Sequence, residues 1–238
     1  MTFYLIGLGL NLQSISVEAL ESLKTCKKIY LESYTVDFPY TIKDLEKSLN
    51  QKIIPLSREP VESEKFLDEA KKQDIALLVY GDSLSATTHI SLIEKCKKEK
   101  IPFKIFHNSS ILTAISETGL QLYKFGRVAS MPKFQKNFEP DSFIDIIADN
   151  QKIKAHSLLL TDIGLSSTQA LTQLEQVLEK RKIKFDKIIM ASQLGTEKSK
   201  IYYDTIKKIK TQNIALPFCI IIPSDLHFTE KEFLENFA

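Results

Sequence analysis

The chain has 238 residues, of which 43% are hydrophobic and 26% charged, so it can bury a substantial core as one large domain or two small ones. Its 32 basic residues nearly balance its 30 acidic ones, which argues against the positive field of a nucleic-acid-binding protein. No apolar run approaches the length of a membrane span, the first residues lack the charged start of a signal peptide, and the three scattered cysteines form neither a metal motif nor a disulfide framework. These features predict a cytoplasmic protein with no metal site, no membrane and no nucleic acid as a partner.

The first part of the chain alternates strand and helix patterns. Short apolar runs predict five strands, at residues 3–6, 28–32, 53–56, 75–80 and 103–106. Amphipathic patterns between them predict helices, at residues 15–23, 40–49, 61–72 and 90–98. The proline in the third strand favours a position at the edge of a sheet. This alternation is typical of a parallel sheet with helices on both faces.

The pattern restarts after Gly126 and predicts a second α/β domain. Apolar runs predict four strands, at residues 127–131, 156–162, 187–193 and 217–223. Helices are predicted at residues 141–150, 166–180 and 198–210, with an exposed loop at 132–140. We therefore predict an N-terminal domain at residues 1–111 and a C-terminal domain at residues 112–238.

The most informative stretch is the apolar run 75–80, which ends in Gly81 and Asp82. In an open parallel sheet, ligands bind outside the carboxyl ends of the strands, so Asp82 is well placed to meet a small molecule. The alternative is that Asp82 caps a helix or closes an Asx-turn. Ser83 and Ser85 are also able to cap a helix, and this favours a ligand-binding role for Asp82.

Three further segments leave strands with small or polar residues, at residues 7–10, 107–111 and 160–164. In a protein of two α/β domains, such segments are expected to line one cleft. Most of the seven glycines also follow predicted strands, which suggests that a ligand approaches the backbone there. A dinucleotide fingerprint is not supported, because Leu12 stands where the third glycine would be.

Several runs together point to one family: residues 4–10 (YLIGLGL), 81–89 (GDSLSATTH), 107–111 (HNSSI), 119–126 (GLQLYKFG) and 226–228 (LHF). In these runs, which occur in order over nearly the whole chain, the protein resembles the diphthine synthases. These belong to the tetrapyrrole methylase-like group of S-adenosylmethionine-dependent methyltransferases.

The resemblance implies two α/β domains, the first with a mostly parallel sheet and the second with a mixed sheet. It also implies a homodimer that binds S-adenosylmethionine in the cleft between the domains and releases S-adenosylhomocysteine. The implied substrate is translation elongation factor 2, in which the amino group of a 3-amino-3-carboxypropyl-histidine is methylated to give diphthine. The cofactor positions of the family fall on eight residues: Leu10, Asp82, Ser85, Ser110, Ile111, Thr161, Leu194 and His227.

The sequence departs from the family pattern in the cleft. Ser83 stands where a proline usually follows Gly-Asp, Ser85 replaces a common valine, and Gln193 replaces a usual arginine. The last change leaves open how the carboxylate of the substrate is held. Tyr123 and Phe125 are candidate neighbours for the growing cation of the product, although core packing is the commoner role of such aromatics.

The sequence identifies no general base, so the catalytic residues stay unassigned. Two alternative functions remain. One is methylation of a tetrapyrrole or of ribosomal RNA by the same fold, and the other is cofactor binding without catalysis.

Overall fold

A computed structural model describes residues 1–237. The chain divides into two compact units, Met1–Leu112 and Thr113–Ala238, which we describe separately.

The first unit contains a five-stranded sheet in which every pairing is parallel. Its strands are β1 (Phe3–Gly7), β2 (Lys28–Glu32), β3 (Ile54–Leu56), β4 (Ile75–Val79) and β5 (Phe103–Phe106). Their order across the sheet is β3-β2-β4-β1-β5, which confirms the predicted parallel sheet and the edge position of the proline-containing strand.

β4 occupies the centre of this sheet because its side chains are apolar on both faces. All five of its residues are buried. Ile75, Leu77 and Val79 join the core on one face, while Ala76 and Leu78 join the core on the other. Helices cover both faces: α1 (Val17–Leu23), α2 (Ile42–Leu49), α3 (Arg58–Glu62) and α4 (Ile90–Glu99). Residues of α1 and α2 pack with Ala76 and Leu78, and residues of α4 pack on the opposite face.

The single helix predicted at residues 61–72 is wrong. The chain instead forms α3 and then a separate 3₁₀ helix, Lys65–Lys71. Glu64 lies between them with a left-handed backbone (φ 58°), which no continuous α-helix accommodates. The predicted inward face is nevertheless confirmed, since Phe66, Leu67 and Ala70 are buried.

The second unit has a mixed sheet, as predicted. Its strands are β6 (Ala129–Met131), β7 (Ser157–Thr161), β8 (Ile188–Ser192), β9 (Lys200–Asp204) and β10 (Phe218–Ile222). They lie in the order β6-β7-β10-β8-β9, with β6 and β7 parallel and the other neighbours antiparallel. The α-helices of this unit are α6 (Phe143–Lys152), α7 (Ser167–Arg181), α8 (Ile206–Ile209) and α9 (Phe228–Leu234), and α5 (Ile111–Ala114) spans the boundary between the units.

The helix predicted at residues 198–210 is also wrong. β9 occupies its first part as the edge strand beside β8, and only the four residues of α8 are helical. Ile201, Tyr202 and Tyr203 are of the branched and aromatic types that favour strands, and pairing with β8 overrides the weak helical periodicity of the run. Thr205 then caps the start of α8 through its side chain.

Two glycines of the second unit allow a matched test of backbone strain against packing. Gly119 and Gly164 both have positive φ, 80° and 70°. A Cβ at Gly119 would lie 2.2 Å from the Phe233 ring, whereas a Cβ at Gly164 would meet nothing within 4 Å. We expect Gly164→Ala to lower the free energy of unfolding by about 1 kcal/mol and Gly119→Ala by about 2 to 4 kcal/mol. Equal losses in denaturant titrations would show that the Phe233 contact carries no cost.

Candidate functional site

Three loops of the first unit leave the same edge of its sheet side by side. β1 lies between β4 and β5, and all three are parallel, so the segments after Gly7, Val79 and Phe106 are neighbours. The first two are joined by backbone hydrogen bonds, from Leu8 N to Val79 O and in both directions between Gly9 and Gly81. This edge is where open parallel sheets bind ligands.

Asp82 is the centre of these loops. Its Oδ1 accepts hydrogen bonds from the backbone N of Leu84 at 2.9 Å and the Oγ of Ser85 at 3.2 Å. Its Oδ2 accepts from Nδ1 of His107 at 2.8 Å and from the backbone N of Asn108 at 3.0 Å. The bond to Leu84 N is the predicted Asx-turn, but the same carboxylate also ties the end of β4 to the end of β5.

Asp82 is buried yet ionised at neutral pH. Burial raises the pKa of this carboxyl, but the N–H groups of Leu84 and Asn108 and the ring of His107 lower the pKa by more. The pKa therefore lies below its ordinary value. The edge of the sheet thus carries a fixed negative charge with little contact to water, which favours a cationic ligand.

The tautomer of His107 follows from this charge. The Asp82 carboxylate has only lone pairs to offer, so Nδ1 of His107 carries the proton and donates it. In the neutral ring, Nε2 then holds a lone pair. The His107 side chain is 69% exposed, and within residues 1–237 its Nε2 makes no hydrogen bond.

Asn108 fastens the third loop to the first. Its Nδ2 donates to the carbonyl oxygens of Gly7 at 3.0 Å and Ser14 at 2.9 Å. The loop after β1 has no room for side chains at its two glycines. A Cβ at Gly7 would lie 2.7 Å from Gly81 O, and a Cβ at Gly9 would lie 2.3 Å from the Ser14 Cβ. These two glycines are therefore required by the packing of the chain itself, and their presence does not depend on a ligand approaching the backbone.

The structure brings together the positions predicted for the cofactor in the first unit. Leu10 is buried in the loop after β1, and its carbonyl accepts the hydroxyl of Tyr80 at 3.1 Å. Ser85 contacts Asp82 directly. Ser110 is buried next to Gly81, where an added Cβ would lie 3.6 Å from the Ser110 Cα, and Ile111 begins α5.

The positions predicted in the second unit fall at different places in its sheet. Thr161 ends β7 and the buried Leu194 follows β8, and these strands are parallel because each is antiparallel to β10. Both positions therefore lie at the edge where β10 begins. His227 lies five residues after β10 ends, and caps the start of α9. Strand register places the end of β10 beside Ser157, at the opposite edge of the sheet from Thr161.

A second polar cluster, not predicted from the sequence, is buried in the second unit. Glu230, on α9, has a fully buried side chain. Its Oε1 accepts from Gln121 N at 2.9 Å and His156 Nε2 at 3.3 Å, and its Oε2 accepts from Lys124 Nζ at 2.5 Å and His227 N at 2.7 Å. The sequence signal is incomplete here, since the runs 119–126 and 226–228 are recognisable while nothing marks Glu230, which joins them.

The protonation of His156 in this cluster is also determined by its partners. Ser224 N donates to Nδ1 at 2.9 Å, so Nε2 carries the proton and donates to Glu230. Burial lowers the pKa of His156, against the raising influence of Glu230, and the ring is neutral. Its edge-on contact with Phe125 occupies that aromatic ring, whereas Tyr123 is 82% exposed. This Glu230 cluster therefore anchors α9 to the run 119–126.

Among residues 1–237, no three histidine, cysteine or acidic side chains converge as a metal site. No helix in this range has the length and apolar character needed to cross a bilayer.

Comparison with known proteins identifies the class to which this fold and site belong. Residues 2–210 match the family of Tetrapyrrole (Corrin/Porphyrin) Methylases, so the chain belongs to this methyltransferase family. Over 99% of its length the chain is 34% identical to the diphthine methyl ester synthase of Schizosaccharomyces pombe, 94% of which is covered. It is 36% identical to the diphthine synthase of Methanococcus vannielii, with 96% of each chain covered.

A solved structure agrees with these relatives. The crystal structure of a diphthine synthase superposes with a TM-score of 0.90 at 27% identity, over 100% of this chain and 96% of the other. Within the tetrapyrrole methylases, the chain is thus a member of the diphthine synthases, as its sequence runs indicated.

Proposed function

We propose that this protein uses S-adenosylmethionine to methylate the amino group of the 3-amino-3-carboxypropyl-histidine of translation elongation factor 2. The product would be diphthine, an intermediate of diphthamide biosynthesis. The observation that carries the proposal is the similarity to diphthine synthases over the full length of the chain. Its support in the structure is the ordered cluster around Asp82, at the ligand-binding edge of a parallel sheet.

The residues at this edge fit the chemistry of the cofactor. S-adenosylmethionine supplies a methyl group on a positively charged sulfur, and its methionyl part also carries an ammonium group. Asp82 provides an anionic carboxylate that is largely shielded from water, and such a charge stabilises cationic ligands. The Oγ of Ser83 is buried beside it and has no hydrogen-bond partner within residues 1–237. A bound polar ligand would satisfy this hydroxyl.

We assign the cofactor contacts to the positions matched by the family resemblance. They are Leu10, Asp82, Ser85, Ser110, Ile111, Thr161, Leu194 and His227. We further propose that the protein is a cytoplasmic homodimer, as the family resemblance implies, and that the functional domains meet between residues 111 and 112. The nearly balanced charge of the chain supports a protein substrate over ribosomal RNA.

The proposed reaction is a displacement at the methyl carbon, in which the amine attacks opposite the sulfur. Such a reaction depends on holding the amine and the methyl group in line. The protein therefore has to fix the two reactants and keep the amine unprotonated. The hydrogen bonds of Asp82 and Asn108 join the loops at this edge, which supports the first requirement on the side of the cofactor.

Mass spectrometry of elongation factor 2 tests the proposal directly. The purified protein and S-adenosylmethionine are incubated with the factor carrying the unmethylated precursor, and with the unmodified factor as a control. We expect methyl increments up to a trimethylammonium group on the precursor only. If S-adenosylmethionine binds but the factor gains no mass, the diphthine assignment is wrong, and tetrapyrroles and ribosomal RNA become the next acceptors to test. Binding with no acceptor at all would favour the non-catalytic alternative.

A related product is favoured by the name of the Schizosaccharomyces pombe relative, which specifies a methyl ester. Here one further methyl group would be placed on the carboxylate of the same side chain. The two products differ in stability, because mild alkali removes an ester methyl and leaves the trimethylammonium group intact. A methyl increment that disappears in alkali would therefore establish the ester.

A further inference from the structure

The Asp82–His107 pair has the geometry of an oriented proton acceptor. Nδ1 of His107 lies 2.8 Å from Asp82 Oδ2, so the carboxylate fixes both the orientation of the ring and its tautomer. The lone pair of Nε2 consequently points away from Asp82, and the side chain is 69% exposed. A carboxylate that holds an imidazole in this way also stabilises the ring once it has gained a proton.

The proposed reaction needs such a group. An aliphatic amine is largely protonated at neutral pH, because its ordinary pKa lies between about 8 for α-amino groups and about 10 for lysine. Only the unprotonated amine has a lone pair with which to attack the methyl carbon. One proton must therefore leave the nitrogen before each methyl transfer.

We propose that His107 accepts this proton, an assignment that rests on the proposed function. The substrate ammonium gives one proton to Nε2, leaving a neutral amine and an imidazolium. The amine lone pair then forms the N–C bond as the S–C bond breaks. The two electrons of the S–C bond stay on sulfur, which becomes the neutral thioether of S-adenosylhomocysteine. The exposed imidazolium returns its proton to water before the next transfer.

Other groups at this edge are less suited to the role. Both oxygens of Asp82 are occupied, with two hydrogen bonds each. Glu32, which ends β2, is buried and accepts from Tyr34 N at 2.8 Å and Thr35 Oγ1 at 2.6 Å. Among the residues that the structure describes, Asp82 is the charged group in contact with the His107 ring, and it orients that ring through Nδ1.

The test compares His107→Asn, His107→Ala and the wild-type chain. Asparagine retains an N–H donor for Asp82 but has no titratable nitrogen. This variant therefore keeps the hydrogen bond to Asp82 and loses only the ability to accept a proton. We expect both variants to bind S-adenosylhomocysteine within about 3-fold of wild type. We expect kcat for precursor methylation at pH 7 to fall about 100-fold, within the usual range for loss of a general base.

Two readouts distinguish proton acceptance from a structural role. The deficit in kcat should shrink as the pH rises, because the amine then loses its proton to solvent without help. Added imidazole should partly restore the activity of His107→Ala. A His107→Asn variant with wild-type kcat, or a deficit that is independent of pH and of imidazole, would overturn the assignment to His107. Failure of the wild type to methylate the precursor would instead overturn the proposed function, and the role of His107 with it.

Discussion

Asp82→Asn is expected to cost the protein about 2 to 4 kcal/mol of unfolding free energy and to lower methylation at least about 100-fold. The amide can present only one oxygen, so its NH₂ group faces either the N–H of Leu84 or the N–H of Asn108. One buried backbone donor is then left without an acceptor. The same change removes the negative charge that we propose attracts the cofactor, so its affinity should fall as well.

The control for this variant is Asp74→Asn, at the other end of β4. Asp74 Oδ1 accepts the backbone N of Thr2 at 2.7 Å, and an asparagine oxygen can accept this bond equally well. We expect Asp74→Asn to change stability by less than about 1 kcal/mol and to leave methylation intact. Denaturant titration, calorimetry of cofactor binding and the methylation assay measure the three effects. Wild-type cofactor affinity in a folded Asp82→Asn variant would contradict the electrostatic role of Asp82.

Glu230→Gln is expected to destabilise the protein by about 3 to 5 kcal/mol, because it leaves the ammonium of Lys124 in a buried cluster without its carboxylate. The loss also affects the neutral partners, since the glutamine NH₂ must face two of the four donors that now converge in pairs on the two oxygens. Glu232→Gln provides the control, because Glu232 lies two residues further along α9 and is exposed. A loss in Glu230→Gln no larger than that in Glu232→Gln would show that the cluster contributes nothing.

The same cluster predicts how stability depends on pH. Burial raises the pKa of Glu230, but its hydrogen bonds outweigh this effect and bring the pKa from 4.5 to about 2. A carboxyl with a lowered pKa stabilises the fold above its unfolded pKa, and this contribution disappears as the pH falls from about 4.5 to about 2. The shift corresponds to about 3 kcal/mol.

His156 also makes the folded state less stable as the pH falls, but at a higher pH than Glu230 does. Its burial lowers the pKa of the folded state, so protonation below the ordinary value of about 6.5 favours unfolding. We therefore expect wild-type stability to fall below about pH 6.5 and to fall further below about pH 4.5. The loss below pH 4.5 should be smaller in Glu230→Gln but not absent, because other carboxyls with lowered pKa values, such as Asp82, still gain protons there. Unfolding titrations over this range measure both losses.

The sequence is sufficient to predict the five strands of the first unit, because their signals are local. Each strand there is a short apolar run, and a strand buried on both faces, such as β4, differs clearly from an amphipathic helix. β9 carries a weaker signal, because none of its residues is fully buried and it lacks the continuous apolar run of a buried strand. The pattern of β9 therefore predicts a helix, although Tyr202 and Tyr203 favour a strand once β8 is available to pair with.

The candidate site is only partly predictable for a similar reason. The position of Asp82 after a buried strand is evident from the sequence. Its four hydrogen-bond partners, however, come from two separate loops, and one of them, His107, lies 25 residues further along the chain. The hydrophobic periodicity of a sequence contains no information about hydrogen bonds between residues so far apart. Glu230 is a more extreme case, since it joins Gln121 across 109 residues, and α9 is too short for its periodicity to stand out.

The strand order of the first unit has a consequence for the growing polypeptide. β1 and β2 are made first, but they are not neighbours in the sheet, and β4 lies between them. Neither strand can complete its ladder until Ile75–Val79 has left the ribosome, and β1 waits further for Phe103–Phe106. Throughout this interval two apolar strands have unpaired edges, which is the state most open to aggregation and to binding by chaperones. The strand that positions Asp82 is therefore also the one whose synthesis allows the sheet to assemble.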